Sequence, residues 1–411
     1  MDPVTLGMAK ADARKRARDQ RAPGNIGQRI FGGRMGTYDG STATTFQVTC
    51  ELQQHFDAIQ LIFANHNAAY SLNAVQCKAA ALPSAADLNG NSAAWVPVTK
   101  MGMNRMMLTT PLSGDRIAYT VSDMIPLASV PRSDAGTNPI VVIRAYMTNN
   151  STISVVGNGT DSFTNWATRT DGRLWAMRAQ TGDQVTTPTT WTSTTNISQS
   201  PIVGVRYLAR GKVVNVMAVG DSISDGRGTY LGEGFGGLVA DRLSEDDIAV
   251  EYSNCGWAGQ STTSFANRAM DILQSDVKPD VLMFPSNSPN NETNFTAAGI
   301  VSAAAHRSRV LAECARVGTV PVLWTLIPCS PAVHDWGATD ALRVADNAAV
   351  LALRQRGVLV ADTATALSGP VVGGQVGLPA EYAPDGIHPG DLGSAMMADL
   401  LEPLVARGAG L

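Results

Sequence analysis

Three residues of this chain, Ser222, Asp385 and His388, have the types and settings to do chemistry together. Ser222 follows an apolar run, Val213 to Val219, and lies within Gly220-Asp221-Ser222-Ile223-Ser224-Asp225-Gly226. A hydroxyl at the end of a buried strand is presented at the carboxyl edge of a sheet, where open α/β folds place their ligands. Near the C-terminus stands Asp385-Gly386-Ile387-His388-Pro389. At that spacing a short carboxylate can accept the ring N–H of a histidine three residues later. This fixes the tautomer and leaves the other ring nitrogen to take a proton from a serine. Hydroxyl, imidazole and carboxylate are the groups that acyl transfer through a serine requires.

Each piece taken alone has an ordinary reading. A serine in a turn after a strand commonly caps a helix, and an Asp-x-x-His tetrad arises by chance in many proteins. Gly220 favours the catalytic reading, because a glycine lets the backbone bend sharply and leaves the hydroxyl exposed. Ser224 stands where G-x-S-x-G needs its last glycine, which argues against an α/β-hydrolase elbow. Gly220 and Gly226 are spaced too widely for a P-loop, and Arg227-Gly228 replaces its Lys-Ser/Thr. The dinucleotide fingerprint fails as well, since the glycine after Gly228 is Gly232.

Acyl transfer also needs donors for a developing oxyanion. Asn254-Cys255-Gly256-Trp257-Ala258-Gly259-Gln260-Ser261 contains glycines that let a backbone N–H approach a substrate closely. Pro285-Ser286-Asn287-Ser288-Pro289-Asn290-Asn291 contains amides that could donate to the same charge. Asn287 and Asn290 are rivals for that role.

The elements that must position these residues follow from two different periods that meet near residue 205. From Gly32 to Val205 short β-type runs alternate with turn residues, as in Phe46 to Cys50, Ala58 to Phe63, Ile140 to Met147 and Leu174 to Ala179. This pattern predicts an all-β sandwich or jelly roll. The stretch from Ser92 to Leu108 is too irregular to assign. From Lys212 onward, strand-like runs (213–219, 249–253, 281–284, 320–327, 358–361) alternate with helical ones (235–243, 265–274, 297–317, 340–356, 391–406). Five such units predict a doubly wound, five-stranded parallel sheet of the α/β class. The expected organisation is a polar basic tail over 1–31, a β domain over 32–205 and an α/β domain over 206–411. Pro131 to Gly136 reads as a loop that could reach the neighbouring domain.

With 411 residues, 44% of them hydrophobic and 16% charged, the chain has ample material for a core. A formal net charge of −4 gives no footprint for nucleic acid. The basic run from Lys10 to Arg21 reads as a solvated tail. Five scattered cysteines suggest neither a disulfide framework nor a zinc site. His55, His66, His306 and His334 lack the setting of His388, so no metal is expected, nor any cofactor. There is no stretch of signal-peptide character and none that would span a membrane.

The blocks around Gly220-Asp221-Ser222, Gly259, Asn290 and Asp385-x-x-His388 together resemble the SGNH (GDSL) hydrolase family, over about residues 212 to 406. The resemblance implies Ser222 as nucleophile, His388 as base and Asp385 as its orienting partner. It also implies an oxyanion hole from the N–H groups of Ser222 and Gly259 and the amide of Asn290. Asn290 fits the third block better than Asn287. The family usually reads Gly-x-Asn-Asp there, whereas this chain has Ser288-Pro289-Asn290-Asn291, which leaves the brace of that loop to be found.

SGNH enzymes with an N-terminal β-sandwich resemble carbohydrate esterases. That implies an acylated carbohydrate or another small ester as substrate and O-deacetylation as the leading reaction. Acyl transfer to a sugar and a catalytically inactive glycan-binding protein are the alternatives. Trp95, Trp166, Trp175 and Trp191 are candidates to stack on sugar rings, burial in a sandwich core being the plainer reading. The opening Asp2 to Lys10 loosely resembles the start of some phage tail proteins, so cytoplasmic and virion-associated settings both stay open. The oligomeric state is not legible.

Overall fold

The computed structural model describes residues 26–32, 35–40, 42–66, 74–84, 90, 93–104, 106, 116–148, 151–157, 175–185, 199–229, 234–244, 249–291 and 295–411. The basic run Lys10 to Arg21, Trp166 and Trp191 lie outside these residues.

The first half is built of antiparallel strands: β1 (Ile26–Ile30), β2 (Met35–Gly40), β3 (Thr44–Glu51), β4 (Phe56–Asn65), β5 (Ala74–Leu82), β6 (Val96–Val98) and β7 (Ala118–Val121). It continues with β8 (Ile125–Pro126), β9 (Ile140–Met147), β10 (Ser151–Gly157), β11 (Trp175–Thr181), β12 (Gln199–Ser200) and β13 (Ile202–Ala209). Among the described residues one sheet runs β1-β13-β4-β7 with β8 beside β4, a second β11-β3-β9-β5-β6, and a third β12-β10-β2. Inward residues of the first two sheets, among them Ile59, Leu61, Val205, Phe46, Val48 and Val141, share one apolar cluster. The two sheets therefore bury each other's faces. Trp95 is packed within this half: Arg144 lies over its ring at 4.5 Å and its Nε1 donates to the Gly90 carbonyl. The 131–136 loop also stays here, Arg132 pairing with Glu51 and Asp134 and donating to the Asn138 carbonyl.

The second half holds the parallel sheet: β14 (Val213–Gly220), β15 (Ala249–Gly256), β16 (Val281–Pro285), β17 (Val320–Trp324) and β18 (Leu359–Ala361), in the spatial order β15-β14-β16-β17-β18. The helices are α1 (Ser222–Asp225), α2 (Gly234–Ser244), α3 (Thr262–Leu273), α4 (Ala297–Val317), α5 (Asp340–Ala352), α6 (Thr363–Ala366) and α7 (Asp391–Ala409). Alternation along β14 shows why both faces are covered. Val213, Met217 and Val219 join the cluster that includes Phe265 and Ile272 of α3 and Val310 of α4. Val214, Val216 and Ala218 join the opposite cluster, with Val239 of α2 and Leu401 of α7. The sheet is thus doubly wound, with its topological switch at β14, the strand that precedes Ser222.

One strand is shorter than its apolar run suggested. β17 ends at Trp324 rather than Ile327 because Asn347 of α5 takes over the pairing. Its Oδ1 accepts the Leu326 N–H and its Nδ2 donates to the Leu326 carbonyl, both at 2.9 Å. The chain is thereby led out of the sheet while remaining buried.

The two halves meet through the apolar cluster they share and through polar side chains of the α/β half that serve the antiparallel half. Glu251 Oε1 of β15 accepts from the Tyr207 hydroxyl and the Gln53 N–H, each at 2.6 Å. Ser253 Oγ accepts the Ile30 N–H, Asn215 Oδ1 the Gln28 N–H, and Asp271 the Ile117 N–H and Arg116 Nε. Edge strand β15 thereby has β1 of the antiparallel half against it. Burial, reinforced by the Glu251 carboxylate, holds the Tyr207 hydroxyl well above the usual tyrosine range.

Glu251→Ala should leave the Tyr207 hydroxyl and the Gln53 N–H buried without an acceptor and cost about 3 kcal/mol of stability. Denaturant unfolding should also show part of that loss recovered when Tyr207→Phe is combined with it, since one orphaned donor is then removed.

Candidate active site

The nucleophile candidate sits where β14 gives way to α1. Space, rather than an unusual backbone angle, demands the glycine before it: a Cβ on Gly220 would stand 2.0 Å from Ser224 Oγ and 2.9 Å from Pro285 Cδ. Asp221 caps the short helix, its Oδ1 accepting the Ile223 N–H at 3.0 Å. Ser222 follows as the first helical residue, 4% exposed.

Across the site, His388 Nε2 lies 2.8 Å from Ser222 Oγ and His388 Nδ1 lies 2.6 Å from Asp385 Oδ2. The other carboxylate oxygen of Asp385 accepts the backbone N–H groups of Ile387 and His388, at 2.9 and 2.7 Å. One turn therefore binds the carboxylate to its own backbone and the ring to the carboxylate. Partial burial works against the charge on Asp385, but these hydrogen bonds outweigh it and hold the carboxyl below its ordinary value. The sign follows from the lowered value: this contribution to stability is present above the ordinary carboxylate pKa and is lost as pH falls through the depressed one. The histidine side chain is 12% exposed and the aspartate 52%.

The turn is buttressed from two sides. Ser330 donates its N–H to the Gly386 carbonyl at 2.7 Å, and Gly386, at φ +79°, leaves no room for a Cβ against Ser330 and Val333. On the other side Gly228, at φ +95°, packs so closely that a Cβ there would lie 2.9 Å from His388 Cβ. Gly228 carried no functional reading in the sequence beyond two failed fingerprints; its contact with a loop 160 positions away has no local signal.

The candidate oxyanion donors lie on the loops after β15 and β16. Gly259 is exposed, at φ +80°, and faces open space. Neither its N–H nor that of Ser222 donates to an acceptor among the described residues. Asn290 is exposed, its Nδ2 donating to the Gln260 carbonyl at 3.3 Å. Asn287, the rival, is 1% exposed and fully engaged. Its Oδ1 accepts from Thr262 Oγ1, Asn291 Nδ2 and the Ser288 N–H, and its Nδ2 donates to Asp346 Oδ2. Burial and partners make Asn287 a strut and leave Asn290 at the surface.

The same loop supplies its own brace. Asn291 Oδ1 accepts the Thr262 N–H at 2.6 Å while its Nδ2 donates to Thr262 Oγ1 at 2.8 Å and to Asn287. An aspartate could accept the first bond but make neither donation, so the amide suits these partners. Beneath them Arg307 joins the Ser286 carbonyl (2.8 Å) to Asp346 (2.9 Å). Ser288 links back to the loop that carries Ser222, its hydroxyl 2.7 Å from Asp221 Oδ2. Sequence reasoning missed Thr262, Ser288 and Asp221 as parts of the site, because their roles appear only when three separate loops are brought together.

Other reactive groups stand apart. All five cysteines are buried and free, and burial pushes the Cys77, Cys255 and Cys314 thiols up to about 12. His55 contacts Ser129, His306 contacts Thr263 and His334 stacks on Trp336. No cluster of His, Cys, Asp and Glu that could hold a metal occurs among the described residues, and no described helix is long and apolar enough to cross a membrane.

Gly228→Ala should push the His388 ring away from Ser222. A displacement of about 1 Å is enough to lower turnover of an aryl acetate by about a hundredfold. Circular dichroism should show the fold retained.

Residues 218–396 match the model of the GDSL-like Lipase/Acylhydrolase family. No curated protein sequence matched the chain. Solved structures similar to it include a GDSL-like lipase from Bacteroides thetaiotaomicron (14% identity, 47% of this chain and 88% of that one, TM-score 0.36). An acetylxylan esterase from Geobacillus stearothermophilus is similar at 18% identity, over 48% of this chain and 94% of that one, with TM-score 0.37. A carbohydrate esterase of family 3 from Talaromyces cellulolyticus gives 20% identity, 48% and 99% coverage and TM-score 0.36. The parallel sheet and the segment that carries Ser222, Gly259, Asn290 and His388 accordingly form a GDSL-like lipase/acylhydrolase domain.

Proposed function

We propose that the protein is a serine esterase that hydrolyses an acyl ester, with Ser222 as nucleophile, His388 as general base and Asp385 as its orienting carboxylate. The observation that carries this reading is the unbroken hydrogen-bond chain from Asp385 through His388 to Ser222. Asp385 directs the Nδ1 proton of His388 toward itself, so Nε2 has a lone pair facing the hydroxyl. Ser222 Oγ attacks the ester carbonyl as Nε2 takes its proton. The N–H groups of Ser222 and Gly259 and the amide of Asn290 hold the oxyanion. Collapse of the tetrahedral intermediate expels the alcohol, which leaves with the proton from Nε2. Water then attacks the acyl-enzyme with the same nitrogen as base, and the acid departs.

The substrate class that fits best is an O-acetylated carbohydrate. Its support is the resemblance of the four blocks, preceded by an antiparallel β half, to carbohydrate esterases. The exposure of Gly259 and Asn290 agrees with it, since the donor side of the site opens to solvent and leaves room for a bulky polar alcohol. The brace made by Asn291 argues against an inactive domain, because the loop that departs from the family pattern is held by five hydrogen bonds among Asn287, Asn291, Thr262 and Ser288.

Ser222→Ala should abolish release of acetate from an aryl acetate and from acetylated xylan while leaving the fold intact; retention of most of the activity refutes the assignment. Asn290→Ala should lower kcat about a hundredfold, whereas Asn287→Ala should chiefly lower the thermal midpoint, by unpairing the buried loop. Acetate release measured with and without a free acceptor sugar separates hydrolysis from transfer.

A further inference from the structure

The surroundings of Ser288 contain one proton too few. Its Oγ lies 2.7 Å from Asp221 Oδ2 and 2.9 Å from the Gln260 carbonyl oxygen, and accepts the Asn290 N–H at 3.2 Å. A serine hydroxyl has a single hydrogen to donate. With Asp221 ionised, that hydrogen can serve the carboxylate or the carbonyl, and two oxygens then face each other at hydrogen-bond distance with nothing between them. A proton on Asp221 Oδ2 completes the set. The acid then donates to Ser288 Oγ, Ser288 donates to the Gln260 carbonyl, and the Asn290 N–H occupies the remaining lone pair.

The environment agrees with an uncharged carboxyl. Asp221 is 1% exposed, and no Lys or Arg pairs with it among the described residues. The groups facing it are the Ile223 N–H of α1, the Ser288 hydroxyl, the His388 ring from the C-terminal turn and the Cys329 thiol after β17. Burial pushes its carboxyl up against the opposing pull of Ser288, the Ile223 N–H and His388.

The Gln260 carbonyl is also the acceptor of Asn290 Nδ2, at the longer distance of 3.3 Å. The carbonyl oxygen has two lone pairs and the amide two hydrogens, so both bonds hold at once and the second Nδ2 hydrogen stays open to substrate. We infer that Asp221 is a positioning residue that works as the neutral acid: through Ser288 it fixes the Gln260 carbonyl and the Asn290 N–H, and so aims the Asn290 amide at the oxyanion. This inference rests on Asn290 being an oxyanion donor, as proposed above.

Infrared spectroscopy of the full-length protein at neutral pH reads the proton directly. A protonated-carboxyl C=O stretch should be present in the wild type, absent in Asp221→Asn and shifted in Ser288→Ala, where the acid loses its acceptor. A wild-type spectrum without that band, or a band that survives unchanged in both variants, overturns the inference. Kinetics with an aryl acetate test the coupling. Ser288→Ala should lower kcat about tenfold with little change in KM, and should cost nothing further in an Asn290→Ala background. Equal losses in both backgrounds would show that Ser288 does not act through Asn290. If Asn290→Ala is fully active while Ser222→Ala is dead, the oxyanion assignment falls, and this inference with it. If Asn290→Ala is impaired and the losses add, the coupling alone falls.

Discussion

The contact between His388 Nε2 and Ser222 Oγ, at 2.8 Å, is the constraint the rest of the structure serves, because it joins residues 166 positions apart. No local preference of either segment creates it. It exists because β14 lies inside the parallel sheet, with β15 on one side and β16 on the other, so the turn after β14 opens at the topological switch. The loops after β15 and β16 must then emerge beside it, and α7 packs on the same face of the sheet against β16, β17 and β18, carrying the preceding turn into range. Glycines at 220 and 228 and the Ser330–Gly386 bond set the last ångström of that approach.

How much of this was legible in the sequence depends on whether the cause was local. The alternation of Val213 to Val219, followed by a helix-period segment, is a property of a short window, and the five parallel strands follow from it with small errors at their ends. β17 stops three residues early for a cause no window contains, the side chain of Asn347 on a later helix. Ser222, Asp385 and His388 could be singled out because a hydroxyl, an imidazole and a carboxylate have distinctive types, and the fold brings the three within hydrogen-bond distance. Asn287 and Asn290 have the same type and lie three apart. Only burial separates them, and burial is a property of the assembled fold.

The polar network beneath the site has a different logic from the apolar clusters around it. Asn287, Asn291, Thr262, Ser288 and Asp346 are nearly all withdrawn from solvent, and each hydrogen bond there fixes a direction that apolar packing would leave free. The Arg307–Asp346 pair places charge where hydrophobic residues could have stood, and its bond to the Ser286 carbonyl turns that charge into a fixed point for the loop that carries Asn290.

Val213 and Met217 of the parallel sheet belong to the same apolar cluster as Ile59, Val205 and Phe46 of the antiparallel sheets. A pendant module would share only a thin, polar boundary with its neighbour. Here the boundary is core. The N-terminal sheets consequently cannot be exchanged or trimmed like a tethered accessory, since their removal would bare greasy surface on the hydrolase portion and invite aggregation.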